Sequence, residues 1–222
     1  MLPRYFIVKR PMSSFGSVLR YFLASSLRRC WILYLAAFLL FVGGFVWGLK
    51  SASLIEKNEA VHLEDYLSRL VAPDANQDRG AVFRHAAARN IVPVGAMYVA
   101  GLTVIGMPVV AGVLFLRGYA LGFTTGFLVF RKGLYGFGLV LAEIFPQNVL
   151  LMAALLFSAV ASVSFSLLLL RRGFNPEIPV FPSFLRYTGM MAVMGIVTLG
   201  AALVEAYIVP GITQIVLPVL EK

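Results

Sequence analysis

Long uncharged runs alternate along the chain with short charged segments. Residues 31–49, from Trp31 to Leu49, carry no charge. An α-helix rises about 1.5 Å per residue, so this run reaches across a hydrocarbon core of about 30 Å. Residues 91–130 contain a single charge, Arg117, and are long enough for two crossings. Gly106-Met107-Pro108 is the natural turn between them, which predicts helices over roughly 87–106 and 109–130. Treating Arg117 as a loop residue instead would leave 118–130 to span alone, and that stretch is too short. Two further runs, 147–170 and 187–208, predict a fourth and a fifth crossing, with Glu205 near the end of the last. Between the third and fourth lies 133–146, which holds Gly133, Gly136, Gly138, Glu143 and Pro146. It reads as an interfacial or re-entrant stretch, tolerated at membrane depth only where protein or water covers it.

The segment 50–89 breaks this pattern. It holds six basic residues, six acids and both histidines, His62 and His85. Such a segment belongs in water. Leu63, Tyr66, Leu67 and Leu70 fall at i, i+3, i+4, i+7 spacing, which predicts a short amphipathic helix. Pro73-Asp74 ends it, and Asp78 begins a second helix that runs into the next span. The apolar stripe either docks a partner or packs on the bundle and the membrane interface. The charged residues beside it, Glu64, Asp65 and Arg69, are the candidate docking side chains. The predicted fold class is an all-α, polytopic membrane helix bundle. It has a basic segment 1–30, a first transmembrane helix 31–49, an extracytoplasmic amphipathic segment 50–90, and a four-helix transmembrane core 91–222.

Composition strengthens the membrane assignment. Hydrophobic residues make up 60% of the chain and charged ones 13%, against roughly 25% charged in soluble domains. The net charge of +9 raises nucleic acid as a partner, but the basic residues sit at the ends of apolar runs, where topology signals sit. Residues 1–30 and 171–186 together hold nine basic residues against one acid, Glu177. The positive-inside rule makes that side cytoplasmic, with 50–89 and the C-terminus facing outward. The first run is too long for a signal-peptide core of about 7–15 residues, so an uncleaved anchor is expected despite Ser51-Ala52-Ser53. Cys30 is the only cysteine, which allows no intrachain disulfide.

Few residues carry candidate chemistry. Gly118, Gly122 and Gly126 form GxxxGxxxG on the third span, and Gly44 and Gly48 form GxxxG on the first. Glycines four apart strip one helix face of side chains and let another backbone approach. Arg117, Glu143 and Glu205 are the charges nearest membrane depth. A charge at the bilayer centre costs about 2.5–3.5 kcal/mol on insertion scales, so Arg117 needs a partner, water access or a snorkelling route, and Glu143, Glu205 or backbone carbonyls are the candidate partners. A structural lock is favoured over a transport path, because one cation and two acids form no continuous relay. The histidines have no metal-ligand spacing. No metalloprotease helix motif, nucleotide loop or nucleophile elbow occurs. No catalytic, cofactor or metal residue is expected.

One stretch carries a resemblance. It runs Val104-Ile105-Gly106-Met107-Pro108, then Phe115-Leu116-Arg117-Gly118, then Gly122-Phe123-Thr124-Thr125-Gly126-Phe127-Leu128. Phe145-Pro146-Gln147-Asn148, Phe165-Ser166-Leu167 and Glu205-Ala206-Tyr207 follow. Together they resemble the stage II sporulation protein M family of endospore-forming bacteria, most closely over the second to fourth spans. The resemblance implies a mother-cell membrane protein of forespore engulfment. It further implies recruitment of two peptidoglycan-degrading partners, stage II sporulation proteins P and D, to the septal membrane. The chemistry would belong to those partners, and the family supplies no catalytic residue. A transporter or permease component is the competing class.

Overall fold

The computed structural model describes residues 30–54, 79–103, 106–174 and 180–211. Every element among the described residues is helical: α1 (Trp31–Ser53), α2 (Arg79–Gly101), α3 (Met107–Leu139), α4 (Phe145–Phe174) and α5 (Phe181–Leu203). Two π-helical turns, Val140–Ile144 and Val204–Ile208, precede α4 and follow α5. Four stretches are long and apolar enough to cross a membrane: Trp31–Ser53, Met107–Arg131, Phe145–Gly173 and Phe181–Gly211. The chain is a multi-pass membrane protein.

The helices begin and end for local reasons. Pro108 and Pro182 sit in the first turns of α3 and α5, where a missing N–H costs nothing. At Gly133, φ is 56° and ψ is −130°, a backbone conformation that side-chain-bearing residues rarely adopt. The helical path breaks there and then resumes. The stretch 133–146, read as interfacial or re-entrant, is mostly helix: the end of α3, a π-helical turn and the start of α4.

Helix α2 starts at Arg79, next to Asp78, and runs on through the second apolar stretch as one helix; it stops at Gly101, short of the expected 106. It carries Arg79, Arg84 and Arg89 in its first half and is not among the four apolar stretches. Its buried face is Ala86, Asn90, Val94, Met97, Ala100 and Gly101, while Val92 and Val99 stand exposed on the opposite face. The end of α2 lacks the intrahelical donors its last carbonyls need. Backbone N–H groups of Leu102 and Thr103 reach the Val99 and Ala100 carbonyls at 3.1 and 3.0 Å. Hydroxyls from neighbouring helices take the others, Tyr187 donating to the Tyr98 carbonyl at 2.9 Å and Ser166 to that of Gly101 at 3.3 Å, while Ser162 adds a bond to the Met97 carbonyl at 2.8 Å. Tyr187 is fully buried and stacks on Phe165, with ring centroids 4.6 Å apart.

The contacts fix the helix directions. Phe41, Phe45 and Leu49 of α1 meet Gly118, Gly122 and Gly126 of α3 in the same order, so α1 and α3 run parallel. Gly106 lies against Ala100 and Arg117 reaches Arg89, so α2 and α3 run antiparallel. The α1–α3 interface is by far the most extensive in the bundle. Helix α1 buries only Ala37, Phe41, Gly44, Gly48 and Ala52, a single seam. Trp31, Ile32, Leu35, Leu39, Val46 and Trp47 are exposed on its other sides. That surface suits lipid, where apolar exposure carries no penalty and close packing drives association. The predicted amphipathic helix lies outside the described residues, as do Glu64, Asp65 and Arg69.

Candidate functional site

Position 93 is where the polar site starts. Pro93 lies inside α2 and has no N–H, so the carbonyl four residues earlier loses its normal helical partner. That carbonyl belongs to Arg89. The Arg117 guanidinium of α3 donates to it, Nη2 to O at 2.7 Å. A proline on one helix thus creates an acceptor that an arginine on the next helix fills. The Arg89 side chain points elsewhere and pairs with Glu205, in the π-helical turn after α5. Three helices are tied together by two interactions that share one residue.

Arg117 therefore bonds a backbone carbonyl, while Glu205 serves Arg89. The Glu143 side chain lies outside the described residues, though its backbone forms part of the π-helical turn Val140–Ile144. Sequence reasoning placed Arg89 at the edge of a water-facing segment and missed its part in this network. The available signal was the Arg89-x-x-x-Pro93 spacing, combined with a helix already running at Arg89.

Around this network lies a cavity of about 240 Å³. Arg89, Asn90, Arg117, Thr124, Gln147, Asn148 and Glu205 are its polar lining. Phe41, Leu121, Ile144, Leu151, Met152 and Leu155 are among its apolar lining. Some of the polar groups are satisfied locally. Thr124 donates to the Ala120 carbonyl at 3.0 Å, and Asn148 Nδ2 to the Ile144 carbonyl at 2.6 Å. Gln147 Oε1 is buried with no hydrogen-bond partner. Asn90, 2% exposed, faces the same space.

Both π-helical turns border this cavity, one through Ile144 and the other through Glu205. A π-turn inserts a residue into the helical ladder and displaces neighbouring side chains, and such turns are concentrated at functional sites. Arg117 is ten residues into α3, and Arg89 twelve before the end of α2. At about 1.5 Å per residue both lie roughly 15–18 Å from the α2–α3 turn, about half of a hydrocarbon core. Toward that turn lie the buried core residues Val94, Met97, Leu114 and Tyr187, with a second, apolar cavity of about 190 Å³ beside Met107, Val110 and Leu114.

The glycine motifs lie beside the cavity and face each other. A methyl group at Gly44 or Gly48 would overlap the carbonyls of Phe115 or Tyr119 of α3. One at Gly118 or Gly122 would overlap those of Phe41 or Phe45 of α1. Gly126 is less tight, with the Ala52 Cβ at 3.0 Å from an added methyl. Among the described residues no group of three or more metal-ligating side chains assembles.

A model of the stage II sporulation protein M family matches residues 37–210. That span takes in the glycine seam, Arg89, Arg117, Glu205 and both π-helical turns. No curated protein and no solved structure matches the chain. With most of its length matched, and with the site inside the match, the chain belongs to the stage II sporulation protein M family.

Proposed function

We propose that this protein is a membrane anchor and scaffold of the sporulation engulfment machinery, not an enzyme. It recruits peptidoglycan-degrading partners to the septal membrane, and stage II sporulation proteins P and D are the expected ones. The observation that carries the reading is the family match over 37–210, which makes the chain a sporulation-related membrane protein. The scaffold role adds a mechanism. A bundle whose largest polar segment, 50–89, faces the wall presents a docking surface confined to the membrane plane. Confinement raises the local concentration of the recruited hydrolases without any new contact between them.

On this reading the chain crosses the membrane five times, with a cytoplasmic N-terminus and an extracytoplasmic C-terminus. Charge asymmetry supports the orientation, since 1–30 and 171–186 hold nine basic residues and one acid. The parallel packing of α1 and α3 supports α2 as the fifth crossing. The working location is the mother-cell septal and engulfing membrane.

The polar cavity favours a second reading, a transporter or permease component. A transport path must continue through the bundle, and toward the start of α3 the polar lining gives way to apolar residues, Met107, Val110, Leu114 and Val160 around the second cavity and Val94 and Met97 in the core. The lack of a continuous polar lining among the described residues favours the scaffold. The test is recovery of partners with the tagged full-length chain from membranes of sporulating cells. Wall hydrolases should co-purify. Glu64→Lys, Asp65→Lys and Arg69→Glu should weaken their recovery while chain levels stay unchanged. Absence of any hydrolase from the wild-type sample sinks the scaffold reading, and unaltered recovery by the variants moves the docking site out of 50–89.

A further inference from the structure

A membrane-depth cavity with more positive than negative groups requires something to balance it. The described side chains around the cavity include two guanidiniums, Arg89 and Arg117, and one carboxylate, Glu205. Glu205 is committed to Arg89. Arg117 bonds a carbonyl, which accepts a hydrogen bond but carries no full charge. One cationic group is therefore left without a counter-charge among the described side chains, in a medium where uncompensated charge is costly. A guanidinium still has unused donors in a planar fork, the geometry that suits phosphate oxygens.

We infer that this cavity binds the phosphate of an anionic phospholipid headgroup, with Arg117 as its main charge partner. Three observations support a lipid. The cavity lining is mixed, with Asn90, Thr124, Gln147 and Asn148 beside Leu121, Leu151 and Met152, which suits a polar headgroup joined to acyl chains. Its volume of about 240 Å³ lies below the roughly 300–1,000 Å³ of sites that enclose whole drug-sized ligands. It therefore accepts a headgroup and leaves the chains along the helices. The unpartnered Gln147 Oε1 is an acceptor waiting for a donor, which a headgroup hydroxyl or ammonium provides. The inference does not rest on the scaffold reading, since a lipid at this site would serve a transporter equally.

The test is thermal unfolding of the full-length chain in nanodiscs of phosphatidylcholine, with and without phosphatidylglycerol. A second series adds inorganic phosphate to the phosphatidylcholine sample. A ligand at about a hundred times its Kd should raise Tm by roughly 5–10 °C for a chain of this size. Phosphatidylglycerol should give that rise, Arg117→Gln should abolish it, and Arg117→Lys should keep part of it. Ala120→Leu, which narrows the cavity and removes no charge, should abolish it too and covers the case in which Arg117→Gln fails to fold. A rise with inorganic phosphate alone keeps the phosphate site and overturns lipid as its source. No rise with either, or the same rise in wild type, Arg117→Gln and Ala120→Leu, overturns the inference.

Discussion

At Arg89 the side chain and the backbone answer different problems. The side chain pairs with Glu205, and the carbonyl, freed by Pro93, takes a hydrogen bond from Arg117. The Arg117 interaction exists because a proline stands four residues later. Replacing Pro93 with alanine restores an N–H that can bond the Arg89 carbonyl along the helix. The two donors should then compete, so Arg117→Leu and Pro93→Ala should be non-additive. Arg117→Leu alone leaves the carbonyl unsatisfied, at a cost of about 1–3 kcal/mol. It also removes a charge from membrane depth, which works in the opposite direction. The single variant therefore has no diagnostic sign, and the cycle isolates the bond. In the Pro93→Ala background, Arg117→Leu should cost about 1 kcal/mol less than in wild type. Reversible unfolding in bicelles measures all four corners, and a coupling of zero would show that Arg117 is held by something else.

Elements show where the sequence was legible and where it was not. Both glycine motifs could be read from four-residue spacing, because that spacing returns to one helix face. What spacing cannot give is which faces meet. That Gly44 and Gly48 lie against the backbone around Gly118 and Gly122 depends on α1 and α3 running parallel, a property of the whole bundle. The start of α2 was legible at Asp78, but the depth to which its charged half enters the bundle was not. Three arginines in its first half placed that half in water, and only the packed helix reveals that Arg89 spends its charge on Glu205. The π-helical turns were out of reach, since they arise where helices adjust to neighbours and have no residue code of their own. A pair of adjacent glycines tests the seam. Gly43 has open space where a side chain would stand, and Gly44 meets the Phe115 carbonyl. Gly43→Ala should be neutral or gain up to about 1 kcal/mol from helix propensity. Gly44→Ala should destabilise, as overpacking does, by about 1–3 kcal/mol. Gly122→Leu, which pushes a larger group against Phe45, should lower stability and abundance further. Thermal unfolding in detergent ranks the three, and equal stability for Gly43→Ala and Gly44→Ala would place the seam elsewhere.

For the whole molecule, helix direction constrains topology more tightly than composition does. Four stretches are apolar enough to cross by themselves, and four crossings alone would return the C-terminus to the side of the N-terminus. Yet α1 and α3 run parallel, so both cross in the same sense. After α1 the chain stands on the far side, and α3 begins on the near one. Something between residues 54 and 107 has to bring it back. Helix α2 is the described helix in that interval, and its 23 residues give about 34 Å of rise, enough for the hydrocarbon core. Its arginines are tolerable there because they are not scattered. Arg89 is paired, while Arg79 and Arg84 fall in the first turns, where long side chains reach the interface. The proposed five crossings thus rest on packing, and they make a prediction that hydropathy alone does not. Reporter fusions at Ser68 and at Asn175 should read outside and inside, and a fusion after Lys222 should read outside. A four-crossing chain in which α2 stays on the outer side would place Asn175 outside as well and the C-terminus inside. A reading of the same side for Ser68 and Asn175 would therefore remove α2 from the membrane and with it the mid-depth position of the Arg89–Arg117 cavity.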